Sequence, residues 1–216
     1  GILDLQDRIS AQLRPRLSQG ATAVNNPTTN AAAYENYLKG RHLWNKRTAR
    51  DVRGAIVYFE RAIALDPAFA LAFAGLADAY HMQATSGALP PSVAYGRARQ
   101  MAERALAIDP KLSEAHSALG WILSTHEFRW EAADQAFARA IALNPNNAEA
   151  HHWRARNYYS LGRTDEFLAS METARHLAPL TEPIARNYYD VVLFKNACAK
   201  ASDYLESFVE FYATGE

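Results

Sequence analysis

The stretch FERAIALDP, residues 59–67, has the character of the end of an amphipathic helix followed by a stop. Nearly the same stretch returns as AERALAIDP at 102–110 and FARAIALNP at 137–145, and more loosely as METARHLAP at 171–179. The prolines that close these four copies are spaced by 43, 35 and 34 residues. Recurrence at such an interval predicts an array of structural repeats.

Each repeat is predicted to contain two antiparallel helices. The segments LAFAGLADAYHM (71–82), EAHSALGWILSTH (114–126) and EAHHWRARNYYSLG (149–162) carry alanine, leucine and aromatic residues at helical spacing. The part that follows each segment keeps this character as far as the proline. Because proline lacks an N–H group and disfavours the helical conformation in the residue before it, each helix pair has a defined end.

Residues at the ends of the predicted helices carry capping signals. Ser113, Asn147 and Thr181 stand where a side-chain oxygen can accept from the free N–H groups at the start of a helix. Gly162 is placed to end one helix before Thr164 begins the next. These signals favour short, separate helices.

Glycines inside the predicted helices indicate close packing between neighbours. Gly75 and Gly120 carry no side chain, so another helix can approach them, and Phe59 and Phe137 are available to fill the remaining space. The helices are therefore predicted to stack in layers.

These features resemble the tetratricopeptide repeat (TPR), which has small and large residues in its first helix, alanine and phenylalanine in its second, and a terminal proline. The copy that matches best carries Ala155, Tyr158, Gly162, Ala174 and Pro179. The resemblance implies an all-α fold, an α-α superhelix (TPR solenoid) of about four to five helix hairpins.

The predicted array has units at about 34–69, 70–112, 113–147, 148–181 and 182–216. The second unit is longer because residues 83–97, QATSGALPPSVAYGR, are inserted. We interpret them as a longer loop between two helices, with a functional protrusion as the alternative. The last unit lacks a closing proline, so it is either a C-terminal cap or is followed by more repeats.

The segment before the repeats differs from them. Residues 1–18 are predicted to form an amphipathic helix, followed by a polar linker at 19–33. This order resembles the junction in bacterial multidomain regulators, where a TolB-like domain precedes the repeats. Those proteins usually begin with a CadC/ToxR-like winged-helix DNA-binding domain, which relatives replace with a nucleotide cyclase or a Ser/Thr kinase. The resemblance implies that the helix ends a TolB-like domain of a longer protein.

Composition excludes several classes of function. Lys and Arg together number 23, and Asp and Glu together also number 23. The chain therefore has no net positive charge that would attract nucleic acid, and we expect no direct nucleic-acid binding by it. No apolar run approaches the roughly 20 residues of a membrane-spanning helix, so no membrane insertion is expected. Cys198 is the single cysteine, which excludes an internal disulfide and leaves the compartment open.

No group of residues in the sequence indicates catalysis, a metal or a cofactor. His151 and His152 are adjacent on a predicted helix, about 100° apart, and no histidine pair one turn apart occurs with a third ligand. Nucleophile motifs, phosphate-binding glycine loops and kinase signatures are missing from the sequence. We therefore expect no enzyme activity, no bound metal and no cofactor.

The geometry of the TPR family implies that the first helix of each unit lines a concave face that takes an extended or helical peptide. The partner-binding residues implied on this face are Asp78, His81, Ser117, Trp121, Ser124, His152, Arg156, Tyr159, Arg186 and Asp190. Tryptophan, tyrosine and arginine are the side chains that most often anchor interfaces. Packing of Trp121 and Tyr159 between helices is the alternative interpretation.

The sequence thus favours a non-catalytic protein-interaction module, the repeat region of a bacterial transcriptional regulator or signalling protein that binds a protein or peptide partner. A repeat region attached to a nucleotide cyclase or a Ser/Thr kinase is one alternative. Self-association as a homodimer, through the aromatic-rich last unit, is another.

Overall fold

The computed structural model of the chain describes residues 28–179, Thr181, residues 183–188 and Leu193. Within these residues it contains helices and no strands. The full helices are α1 (Ala31–Asn45), α2 (Ala49–Leu65), α3 (Ala70–Thr85), α4 (Pro91–Ile108), α5 (Ser113–Thr125), α6 (Trp130–Leu143), α7 (Ala148–Ser160) and α8 (Thr164–Leu177). Residues 183–188 are helical as well.

The helices pack as consecutive hairpins that stand side by side. α1 packs on α2, α3 on α4, α5 on α6, and α7 on α8. Each odd-numbered helix also contacts the next odd-numbered helix, whereas the even-numbered helices pack mainly against odd-numbered ones. Because the odd-numbered layer is the more closely packed, the array curves toward it and the odd-numbered helices line the inner face. The predicted all-α superhelix is confirmed.

Phenylalanine rings of the outer layer pack against glycines of the inner layer. The Phe59 ring lies between Gly40 of α1 and Gly75 of α3, where an added Cβ would stand only 2.6 and 2.7 Å from it. Phe137 packs in the same way against Gly120, at 2.9 Å. Both rings are fully buried. The close approach predicted at Gly75 and Gly120 is confirmed, and it sets the spacing of the two layers.

Two of the predicted helix ends are as the sequence indicates, and one is not. The side chain of Asn147 caps α7 by accepting a hydrogen bond from the Ala150 N–H, and Gly162 follows this helix with a φ of +71°. The prediction for Ser113 is wrong. Its buried hydroxyl donates to the Ala140 carbonyl oxygen of α6 at 2.8 Å, so it joins two helices instead of capping its own.

The inserted residues 83–97 lengthen two helices, and the interpretation as a long loop is wrong. The first residues of the insertion extend α3 to Thr85, and the residues from Pro91 onward belong to α4. Only a short turn remains between the two helices, with Gly87 at φ +70°. Tyr95 in the insertion stacks on His126 with ring centroids 4.2 Å apart. The insertion is therefore packed into the array.

The described part of the chain begins close to the first repeat. Residues 1–27, with the predicted N-terminal helix, lie outside the described residues, as does most of the unit 182–216. α1 begins at Ala31, slightly before the predicted array, because the Asn30 side chain caps it by accepting from the Ala33 N–H. Among the described helices, none has the length and apolar character needed to cross a membrane.

Candidate interaction surface

The structure brings the sequence-predicted partner-binding residues to the inner layer. α3 carries Asp78 and His81, α5 carries Ser117, Trp121 and Ser124, α7 carries His152, Arg156 and Tyr159, and the helical residues 183–188 include Arg186. Asp190 lies outside the described residues. Arg156, Tyr159 and Arg186 are exposed, whereas the other described members are buried or largely buried. The inner face therefore has a filled part and an open part.

A column of stacked rings fills the centre of the inner layer and joins α3, α5 and α7. The rings of His81 and Trp121 lie 3.5 Å apart, and those of Trp121 and Trp153 lie 3.8 Å apart. His152 adds a tilted ring at 4.3 Å from Trp153. Trp121 is only 5% exposed. Trp121 therefore packs between helices, as the alternative interpretation of the sequence proposed. It offers little surface to a partner.

Ion pairs close the inner face beside this column. Arg47, in the turn after α1, donates two hydrogen bonds to the Glu149 carboxylate at the start of α7, at 2.9 and 3.1 Å. The Arg47 guanidinium lies 3.4 Å from the centre of the Trp44 ring. Arg41 pairs with Asp78 at 3.3 Å. The N-terminal part of the inner face is thus occupied by the protein's own side chains.

Burial sets the protonation of this cluster. It raises the pKa of Asp78 to about 7, although neighbouring guanidinium groups oppose the shift. It lowers the pKa of His81 to about 3 and also lowers the pKa of His152. Burial is also the largest single influence on Glu149 and acts to raise its pKa, but Arg47, His152 and Arg41 together outweigh it and lower the pKa of Glu149 to about 2. At neutral pH the cluster holds uncharged histidines and a charged Arg47–Glu149 pair.

The hydrogen bonds of the two buried histidines imply different tautomers. Thr125 donates its hydroxyl proton to a backbone carbonyl oxygen one turn earlier, so it accepts from the Nε2–H of His81 at 2.6 Å. His152 Nε2 accepts from the Asn187 amide at 2.8 Å, which leaves its proton on Nδ1, 3.8 Å from the Glu149 carboxylate. In the described part of the chain, no group of three or more His, Cys, Asp or Glu residues is placed to hold a metal ion.

An open cavity of ≈ 630 Å³ lies beyond the column, toward the C-terminal end of the inner face. Its described walls come from α5, the turn before α6, α7, α8 and the helical residues 183–188. The aromatic side chains in these walls are Phe128, Trp130, Tyr159 and Phe167. Tyr159 is 65% exposed and Phe128 67%. This is the open part of the inner face, and its size and aromatic character are those of a binding site.

Arg156 is the only charged residue among the described walls of the cavity. The other arginines of α1, α7 and the turn between α1 and α2 each pair with a carboxylate, namely Arg41, Arg47 and Arg154. The Arg156 guanidinium instead lies 5.9 Å from the centre of the Trp153 ring, and no described carboxylate lies within salt-bridge distance of it. The cavity therefore has a positive charge that the described residues leave unneutralised.

Phe128 has an unusual backbone conformation at the mouth of the cavity. Its φ is +54°, in the left-handed region, which costs a bulky residue about 1–2 kcal/mol. Its ring projects from the turn and meets Trp130 edge-on, with centroids 6.4 Å apart. The strained turn presents an exposed aromatic surface beside Arg156 and Tyr159.

The sequence did not predict Phe128, Trp130 and Phe167 as site residues. A signal was present, because HEFRW at residues 126–130 places two aromatic residues at a turn between helices, where polar residues are usual. These side chains lie near Tyr159 because α5 packs against α7. The helical periodicity of the sequence does not show which helices pack against each other.

No protein-family model matches the chain. Among curated proteins, the transcriptional regulator HilA of Salmonella typhimurium is 24% identical over 143 residues, which are 66% of this chain and 26% of HilA. HilA of Salmonella typhi shows the same identity and coverage. The chain thus spans about a quarter of the length of these curated relatives.

Solved structures of similar shape are TPR and pilus-biogenesis proteins. PilW, a type IV pilus biogenesis factor, has a TM-score of 0.56 at 18% identity, covering 82% of this chain and 76% of its own. TTC0263, a TPR protein of Thermus thermophilus, has a TM-score of 0.53 at 19% identity, covering 75% of this chain and 100% of its own. These likenesses show the fold, and the described array has the fold of a TPR solenoid.

Proposed function

We propose that the chain is a non-catalytic protein-interaction module of a bacterial signalling or transcriptional regulatory protein, binding a protein or peptide partner through the open part of its inner face. The observation that carries this proposal is the concave, aromatic cavity around Arg156 and Tyr159. The likeness to part of HilA supports a regulatory context.

Within this proposal the predicted residues have two different roles. Arg156 and Tyr159 contact the partner, together with Phe128, because these side chains are exposed at the cavity. Trp121, His152 and the other buried members hold the odd-numbered helices in register. A rigid wall favours binding because little ordering entropy is lost when the partner arrives.

The parent protein can carry this module behind different effector domains. A TolB-like domain and a winged-helix DNA-binding domain before the repeats are our first proposal, and a nucleotide cyclase or Ser/Thr kinase is the alternative. The full-length sequence of the parent protein distinguishes them. In either case the chain itself contacts no nucleic acid, since its charges balance.

Self-association remains a separate prediction. It rests on the aromatic residues of the last unit, namely Tyr188, Tyr189, Phe194, Tyr204, Phe208, Phe211 and Tyr212, of which Tyr188 alone is among the described residues. Light scattering over a range of protein concentrations tests it, and a strictly monomeric species at high concentration contradicts it.

Partner capture tests the proposed binding face. The tagged chain is used as bait in a lysate of its source organism, beside the double variant Arg156→Ala with Tyr159→Ala. We expect the variant to lose partners that the wild type captures, with unchanged helicity by circular dichroism. Arg139→Ala, an exposed arginine on the outer helix α6, is the matched control. Capture that survives the double substitution would place binding on another surface.

A further inference from the structure

The chemistry of the cavity indicates which kind of partner fits it. Arg156 is the one cation among the described residues of the walls, which are otherwise uncharged and include four aromatic side chains. Arg156 is exposed as a residue, but partial burial of its guanidinium lowers the pKa of Arg156. Such a group favours an anion within reach, because a charge-assisted hydrogen bond is stronger than a neutral one. A basic segment would be repelled, and a wholly apolar segment would leave the guanidinium unpaired.

The rings around Arg156 indicate an apolar component next to that anion. Phe128 and Tyr159 expose most of their surface at the mouth, whereas Phe167 is 8% exposed and forms the floor with Met171. A bulky aliphatic or aromatic side chain that packs on these rings buries apolar surface on both partners. The volume of ≈ 630 Å³ has room for more than one such side chain.

The shape of the site favours a polypeptide over a small enclosed ligand. Tyr159 and Phe128 stand at an open edge, so a chain can enter the cavity and continue along the inner face. Toward the N-terminus that path meets the side chains of the Arg47–Glu149 pair, which occupy the inner face. The open stretch is therefore short and lies at the C-terminal end of the inner face.

We propose that the cavity binds an acidic peptide segment of a partner protein, in which a carboxylate side chain stands beside a bulky apolar one. The carboxylate pairs with Arg156, and the apolar side chain packs on Phe128 and on the Tyr159 and Phe167 rings, whose centroids lie 5.5 Å apart. This proposal rests on the proposed function and adds the chemistry of the partner to it.

Selection from a display library of random short peptides tests the proposal, because it does not require the partner to be identified first. The immobilised full chain, its Arg156→Glu variant and an Arg139→Glu control are screened in parallel. We expect the wild type and the control to enrich peptides with Asp or Glu next to Leu, Ile, Phe or Trp. We expect Arg156→Glu to lose them and to favour Lys or Arg instead, since the charge of the cavity is reversed.

A selected peptide then gives the size of the effect. Its binding, measured by fluorescence anisotropy, should weaken by about tenfold or more in Arg156→Ala, the effect expected for one lost hydrogen bond between charged groups. Replacing the acidic residue of the peptide with its amide should weaken binding by a similar factor. Thermal melts that match the wild type show that the variants are folded.

The outcomes separate this proposal from the proposed function. Peptides enriched without acidic residues, or bound equally by Arg156→Ala, would overturn the acidic partner but leave peptide binding in place. A selection that enriches no peptide would overturn the peptide partner, whereas Arg156- and Tyr159-dependent capture of a folded protein in the lysate experiment would leave the proposed function in place. If phenylacetate or indole-3-acetate binds in an Arg156-dependent way while no peptide is enriched, the cavity takes a small apolar carboxylate and the peptide proposal is wrong.

Discussion

Among the residues that the structure describes, Arg47 and Phe128 are the two that are not glycine and adopt left-handed backbone conformations, with φ of +56° and +54°. At Arg47 the strain is offset by the hydrogen bonds to Glu149 and by the contact with the Trp44 ring. At Phe128 the side chain is 67% exposed and gains no comparable contact among the described residues. Uncompensated strain of this kind gathers at functional sites, which supports our proposal that Phe128 belongs to the partner-binding surface.

Replacing Phe128 with asparagine is expected to raise the free energy of unfolding by about 0.5–1 kcal/mol, because asparagine tolerates the left-handed region. The same change should weaken binding of a selected peptide, since an aromatic wall of the cavity is lost. Urea denaturation and fluorescence anisotropy measure the two effects. Arg47→Asn is the matched control, because it relieves the same backbone strain but destabilises the fold by leaving Glu149 unpaired. A loss of stability in Phe128→Asn would show that the ring supports the fold.

The titrating groups of the filled inner face act on stability in opposite directions. His81 stays uncharged in the folded chain down to a pKa of about 3, whereas the unfolded chain takes up that proton below about 6.5, so acidification destabilises the fold. The lowered pKa of His152 acts in the same direction. Asp78 acts in the other, because its pKa of about 7 keeps a proton on the folded chain that the unfolded chain has released above 3.8.

Asp78→Asn should therefore steepen the loss of stability on acidification. The melting temperature of the variant is expected to fall more between about pH 7 and pH 5 than that of the wild type, because the histidine effect is no longer opposed. Calorimetry at several pH values gives the two slopes. Asp165→Asn, on the exposed face of α8, is the control. Parallel slopes for Asp78→Asn and the wild type would show that Asp78 does not hold its proton in the fold.

At the level of helices, the spacing between layers depends on glycine facing phenylalanine. At Gly120 in α5 an added Cβ would stand 2.9 Å from the ring of Phe137 of α6, and that ring is fully buried in the close-packed interior. Gly96 in α4 also lies inside a helix, but an added Cβ there would meet nothing within 4 Å. Both glycines are helical, but a side chain would be too close to its neighbour at Gly120 and would have open space at Gly96.

Gly120→Ala is expected to lower the free energy of unfolding by about 1–3 kcal/mol, because the added methyl group overpacks the contact with Phe137. Gly96→Ala should raise it by about 0.5–1 kcal/mol through the better helix propensity of alanine. Urea denaturation of both variants gives the comparison. Equal effects at the two positions would contradict the packing role of Gly120.

At the level of the whole molecule, the Arg47–Glu149 pair links repeats that are not neighbours in the array. Repeat proteins are stabilised mainly by contacts between adjacent repeats. This pair joins the turn of the first hairpin to the start of the fourth across a sequence separation of 102 residues, with the Arg47 side chain 8% exposed. We infer that it holds the curvature of the inner face and keeps the cavity in a single shape.

A double-mutant cycle measures this link. Glu149→Gln is expected to cost about 3 kcal/mol, because it leaves the buried Arg47 guanidinium unpaired. Arg47→Met should be costly as well, and the double variant should cost clearly less than the sum of the two, since neither charge then remains buried alone. Denaturant unfolding of the four proteins supplies the coupling free energy. Additive losses would mean that the pair contributes no link between the repeats.

Much of the fold was predictable, because local rules govern it. Helical periodicity, the recurring prolines and the glycines facing phenylalanine predicted the hairpins and their stacking. Ser113 was misjudged because hydroxyl groups serve equally well as caps and as links between helices. The insertion at 83–97 was misjudged because its Gly and Pro residues indicate a loop, whereas Pro91 lies at the first position of α4, which tolerates proline.

The sequence by itself determined the repeat, the helix pairs, the inner layer and the exposed side chains Arg156 and Tyr159 as candidate contacts. Only the tertiary structure decided that Trp121 and His81 are packed inside, and that Arg47 occupies the inner face. The physical reason is that periodicity assigns a residue to a face of its helix. Whether that face is open depends on side chains from distant repeats, which meet only when the array curves.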